Sequence, residues 1–97
     1  MPALLSPDAV LARSDRLSWR VLDDEALILF PEVGTLHRLN PTGTRMWELL
    51  DGSRSLELIA SALIEEYDVS VGEALGQLVG LANELIAARL VEVKGEP

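Results

Sequence analysis

The sequence predicts an α+β domain of the winged helix-turn-helix class, with a three-stranded antiparallel sheet followed by three helices. Between Leu17 and Leu39 apolar residues recur with a period near two, and beyond Asn40 the spacing becomes helical. The connections are short and built from turn residues: Asp23-Asp24, Pro31-Glu32-Val33-Gly34 and Asp51-Gly52-Ser53. At 97 residues, with 48% hydrophobic and 25% charged side chains, the composition is that of one globular domain.

The first strand runs from Leu17 to Leu22, where Leu17, Trp19 and Val21 alternate with Ser18 and Arg20. Glu25 to Phe30 is a second strand, apolar on both sides. Pro31 to Gly34 supplies hairpin chemistry, and Thr35 to Leu39 is a third, alternating strand. Asn40-Pro41-Thr42 starts helix one, with Asn as cap and Pro at the first helical position. It ends near Leu50, where Asp51-Gly52 stops it and Gly52 takes positive φ. Ser53 or Ser55 caps helix two, which runs to about Tyr67. Ser70 and Glu73 form a capping box for helix three, which runs to about Arg89. Leu90 to Val93 is either its frayed end or a short strand. Residues 1–16 are expected to be a loose arm, 17–93 the domain and 94–97 a tail.

Lys and Arg total 8 against 16 Asp and Glu, a formal charge of −8. Such a balance disfavours nucleic acid, which needs a basic face. The chain has no Cys and one His, which removes disulfides, thiolate nucleophiles and His-rich metal sites. The first twelve residues lack a basic stretch and contain Asp8, so they do not read as a signal peptide. Glu73, Glu84 and Arg89 interrupt the long apolar stretch from Val69 to Val93, so no membrane span is expected. A cytoplasmic location fits.

No catalytic constellation emerges. His37 lies mid-strand beside Arg38 and reads as a partly exposed strand residue rather than a general base. Asp23-Asp24-Glu25 and Glu65-Glu66-Asp68 read as solvated turn residues. Trp19 and Trp47 read as packing. The chain is therefore expected to be neither an enzyme nor a cofactor binder.

Two surfaces exceed what a core requires. On helix three the apolar arc centred on Leu78 spreads along one flank to Val79 and Ile86. Beyond that flank lie Gly72, Gly76 and Gly80, each costing about 1 kcal/mol against Ala in a helix interior. Either the surface there simply tolerates them or another backbone approaches that side closely. The third strand, if an edge, offers unpaired N–H and C=O groups that Thr35, Leu36 and Leu39 do little to blunt. An open edge beside an apolar helix flank is how extended peptides are captured by strand addition.

Leu39-Asn40-Pro41-Thr42 followed by Trp47-Glu48-Leu49-Leu50-Asp51-Gly52, with the D-D-E-A-L-I-L-F strand before and E-E-Y-D-V after, resembles the PqqD-like family over about Leu17 to Val91. The resemblance implies a non-catalytic winged-helix element that holds the leader of a ribosomally made precursor peptide. It presents that leader to a modifying enzyme, often a radical S-adenosylmethionine (SAM) enzyme. It implies a peptide site at Thr35, Leu36, His37, Arg38 and Leu39, walled by Leu75, Val79, Ala82 and Ile86 of helix three. The opposite flank, along Ala74, Leu81 and Ala88, is the alternative wall. A homodimer is compatible with this reading. Trp47 and the segment Pro41-Thr42-Gly43-Thr44 depart from the pattern of members serving pyrroloquinoline quinone synthesis, which leaves the pathway open. A winged-helix transcription regulator is the competing reading. From Leu49 to Pro97, however, three basic residues (Arg54, Arg89, Lys94) face nine acids, the reverse of what a major-groove helix needs.

Overall fold

In the computed structural model, which describes residues 5–95, the elements follow in the order β1 (Val10–Arg13), β2 (Ser18–Leu22), β3 (Glu25–Phe30), β4 (Thr35–Arg38), α1 (Pro41–Leu49), β5 (Asp51–Ser55), α2 (Leu56–Glu66), α3 (Val71–Ala87) and β6 (Val91–Gly95). The alternating segment folds as the expected meander, an antiparallel sheet of order β2-β3-β4. Pairing of Leu22 with Glu25 leaves Asp23 and Asp24 as a two-residue turn, both left-handed at φ 51° and 63°. That is the turn whose twist suits a hairpin. Gly34, at φ 75°, closes the next hairpin, its N–H donating to the Phe30 carbonyl at 2.8 Å.

A second antiparallel sheet, of order β5-β1-β6, corrects two sequence expectations. Val10–Arg13 is the central strand of this sheet rather than part of a loose arm, and Leu11 is fully buried. Pro7 disfavours a helix there but leaves an extended strand open. Asp51-Gly52-Ser53 is not a bare elbow, because Asp51–Ser55 pairs with β1 through Val10–Ser55 and Ala12–Asp51. Gly52, at φ 85°, permits the approach, since a Cβ there would stand 3.1 Å from the Ala12 Cβ. The alternatives at Leu90 to Val93 resolve as a strand, with Lys94 and Gly95 of the expected tail included in β6. The first four residues of the arm and the last two of the tail lie outside the described residues.

The helix ends follow their capping chemistry. Asn40 accepts from the Gly43 N–H at 2.8 Å with Pro41 in the first turn, and Ser70 accepts from Glu73 N–H at 3.2 Å. Of the two candidate caps for α2, Ser55 holds the position, and the Ser53 hydroxyl donates to Asp51 at 2.7 Å. After α3, Arg89 turns left-handed at φ 64°, its N–H donating to the Ile86 carbonyl and that of Leu90 to the Leu85 carbonyl. This Schellman closure throws the chain into β6, with Leu85 and Leu90 both buried.

The core lies between the helices and the inner faces of both sheets. Ala26, Ile28 and Phe30 of β3 meet Met46, Trp47 and Leu50 of the α1 segment, and Leu78, Ala82 and Leu85 of α3 join them. Trp47 is core as expected. Trp19 packs edge to face on it, ring centroids 5.8 Å apart, while remaining 39% exposed. Arg13 locks the joint between the sheets. Its guanidinium donates to the carbonyls of Trp47 at 2.8 Å and Glu48 at 2.9 Å, at the end of α1, and lies 5.1 Å from the Trp19 ring centroid. The buried Thr44 hydroxyl accepts from Ala26 N–H at 2.7 Å and donates to the Leu39 carbonyl at 3.2 Å, fastening α1 to the meander.

Candidate functional groove beside the edge strand

The order β2-β3-β4 leaves β4 an edge, with β3 on one side and no strand on the other. Its register, Phe30 with Thr35 and Ile28 with His37, puts Thr35 and His37 on the core-facing side of the sheet. Leu36 and Arg38 face outward alongside Leu29 and Leu27. Leu36 is 66% exposed, and Arg38 is tied by its Nε to Glu25 Oε1 at 2.8 Å. Leu39 is half-buried and returns its N–H to the Ala26 carbonyl at 2.9 Å, leaving the sheet there.

Two hollows border the α3 side of the molecule, one facing β4 and the other facing the start of α1, and together they form the candidate groove. One, of about 370 Å³, is lined by Thr35 and His37 on the strand side and by Ala87, Ala88 and Arg89 on the other, with Phe30 and Val33 at its end. The second, also about 370 Å³, lies further along, where Asn40, Thr42 and Gly43 of the α1 start face Gly76, Gly80, Leu81 and Glu84. A Cβ at Gly76 or Gly80 would have no atom within 4 Å. No backbone of this chain uses the space those glycines leave, so it stays open at the groove.

The wall of this groove is the alternative flank of α3. Leu81 and Ala88 border the hollows, joined by Glu84 and Gly80. Of the residues first placed there, Ala82 is fully buried and belongs to the core under the groove. Leu75 and Val79 are half-buried and pack on the core. Ile86 borders a neighbouring hollow below the β3–β4 turn, with Arg16, Phe30 and Glu32. A helical wheel marks the width of an apolar arc but not which of its edges meets the sheet. The glycines were the usable signal, since in the fold Gly76 and Gly80 border the groove.

Chemically the groove offers a strand edge, small and apolar contacts, and a few polar groups at its ends. Among the described residues no three metal-ligating side chains converge, and no helix is long and apolar enough to cross a membrane. Asp23 and Asp24 are turn residues as expected, while Glu25 and Glu66 are engaged by Arg38 and Arg45.

Residues 25–91 match the family model of coenzyme PQQ synthesis protein D (PqqD). The solved structure of TbiB1 in complex with the TbiA(beta) leader peptide superposes with a TM-score of 0.79 at 28% sequence identity, covering 88% of this chain and 99% of that one. None of the curated proteins compared matches the chain.

Proposed function

Since this chain belongs to the PqqD family, we propose that it is a peptide-recognition element that captures the leader of a precursor peptide and presents it to a peptide-modifying enzyme. The leader adds as a strand on β4, its inward side chains entering the two hollows against Leu81 and Ala88. The observation that carries this is the unpaired β4 edge facing a groove already open in the free chain. The structural neighbour was solved with a leader peptide, which supports the same use here. A radical SAM enzyme is the expected class of modifying partner. The chain contributes binding and no catalysis. Two copies pairing across β4 would compete with the leader for the same edge. The regulator reading is set aside because α3 carries Glu73 and Glu84 and neither Lys nor Arg.

The test is a titration of isotope-labelled protein with synthetic leader peptides, the TbiA(beta) leader among them, followed by amide shifts. Shifts are expected at Thr35 to Leu39 and along Leu81 to Ala88. Changes confined to α1 and α2 would overturn strand addition on β4. Leu81→Asp should weaken binding at least tenfold by burying an unpaired charge, about 1.4 kcal/mol or more. Val79→Asp should change it less than threefold.

A further inference from the structure

Two charges at opposite ends of the groove have no ionic partner among the described residues. Of the eight basic side chains, Arg16, Arg38, Arg45, Arg54 and Lys94 each pair with a carboxylate, Arg13 is held by helix carbonyls, and Arg20, also without an ion pair, lies on β2 away from the groove. Arg89 pairs with none, and it borders the hollow beside Thr35 and His37. Glu84 pairs with no cation, and it borders the hollow beside Asn40 and Gly43. Arg89 thus puts a cation at the start of β4, on a rim shared with the neighbouring hollow of Asp15, Glu32 and Glu92, and Glu84 puts an anion at the other end, in a chain whose net charge is −8.

We infer that, granted strand addition on β4, this groove reads charge as well as shape. It selects a leader segment carrying an acidic side chain at the Thr35 end and a basic one at the Asn40 end, both turned toward α3. Geometry sets their spacing. Glu84 lies in the last turn of α3 and Arg89 one residue past its cap, in the left-handed turn, so the two stand on the order of 6–8 Å apart along the groove. Same-face residues of a strand recur every ~6.6 Å, so with side-chain reach the two leader charges stand two or four positions apart. In water such exposed charges contribute little affinity. Once the added strand displaces solvent from the groove, a like charge is rejected more strongly than an opposite one is rewarded. The pair therefore acts chiefly on specificity and strand direction.

The experiment is selection of a random 12-residue peptide library on the immobilised full chain and on its Glu84→Lys, Glu84→Gln and Arg89→Gln variants, each first shown to melt like the parent. On the parent, enriched peptides should alternate apolar residues and carry an acid and a base two or four positions apart. Glu84→Gln should lose the basic preference, Glu84→Lys should replace it with an acidic one, and Arg89→Gln should lose the acidic preference. In anisotropy titrations, changing the basic residue of an enriched peptide to Glu should weaken binding threefold to tenfold on the parent and strengthen it on Glu84→Lys. Enrichment of alternating apolar peptides with no charge preference, or a preference unmoved by Glu84→Lys, overturns the inference while strand addition stands. If no peptide is enriched, strand addition falls and the inference with it.

Discussion

The two sheets have the same number of strands and opposite construction. The meander β2-β3-β4 is local, complete within residues 18–38, and leaves β4 without a neighbour on its free edge. The sheet β5-β1-β6 gathers residues 10–13, 51–55 and 91–95 from across the chain. The long-range sheet closes the fold, so its loss unties α1, α2 and the exit of α3 together. The local sheet can hold its own register through its turns, and so one edge stays free for a ligand. Binding and stability are thereby divided between them.

The largest expected difference compares two arginines. Arg13 in β1 serves the α1 carbonyls and stands over both tryptophan rings, 5.1 and 5.9 Å from their centroids. Arg38 in β4 meets Glu25 at an exposed site. Arg13→Ala should cost about 2 kcal/mol, since it leaves part-buried carbonyls at the end of α1 without their donor and removes the stack. Arg38→Ala should cost about 0.5 kcal/mol, as exposed ion pairs do. Urea denaturation of both proteins measures this. Equal losses would remove the division between a closing sheet and an open one.

Next come two glycines of similar backbone. Gly34 has φ 75° with open space where a Cβ would go, and Gly52 has φ 85° with Ala12 in the way. Gly34→Ala should cost about 1 kcal/mol from the left-handed conformation alone. Gly52→Ala should cost roughly 2 kcal/mol, because the strands must also shift. Paired thermal melts that fail to separate them would show that β5 yields easily.

The same contrast explains what could be read in advance. The meander was legible because alternation, Asp23-Asp24 and Pro31 to Gly34 are local signals, and the helices because Asn40 and Ser70 cap them. Val10–Arg13 and Asp51–Ser55 carry no comparable mark. D-G-S-R-S has neither alternation nor strand propensity, and it extends only because β1 arrives from elsewhere. That Thr35 and His37 share a face was legible from the strand period, but that this face is the groove side was not, since Leu36 on the opposite face is the apolar one. Leu81, Ala88 and Glu84 were not legible either, because helix phase is set by how α1 and β4 pack, and those contacts have no local signature.

The turn of the open sheet offers a smaller gain. Asp23 and Asp24 both sit at positive φ without the glycine this turn prefers. Asp24→Gly should raise stability by about 0.5 to 1 kcal/mol, the relief of a non-glycine residue in the left-handed region. It should leave leader affinity unchanged, since the turn joins β2 to β3 and lines neither hollow. A rise in affinity would mean that the meander reorganises on binding, and that its register is less fixed than its turns imply.

The smallest effect belongs to a contact in neither sheet. Arg45 on α1 donates from Nε to both oxygens of Glu66 on α2, at 2.8 and 3.1 Å. This hydrogen bond, with the attraction of the guanidinium, holds the Glu66 carboxyl below its ordinary 4.5, and the Arg45 guanidinium is correspondingly raised. A carboxyl lowered in the folded state stabilises above its unfolded pKa, and that contribution disappears as pH falls through the folded value. Both side chains are more than a third exposed, so screening keeps the contribution below about 1 kcal/mol. Asp51 in β5 is also lowered, by the Ser53 hydroxyl and N–H, so acid weakens the closing sheet as well. The Glu66 share is isolated by comparing the parent with Glu66→Gln in urea from pH 7 to pH 3. The parent should be slightly more stable at pH 7, with the gap closing below about pH 4.5 as the carboxylate protonates. It should also narrow in high salt at pH 7. A gap that persists unchanged at pH 3, where Glu66 is protonated, would show that its charge is not the source, since Gln keeps the same stem.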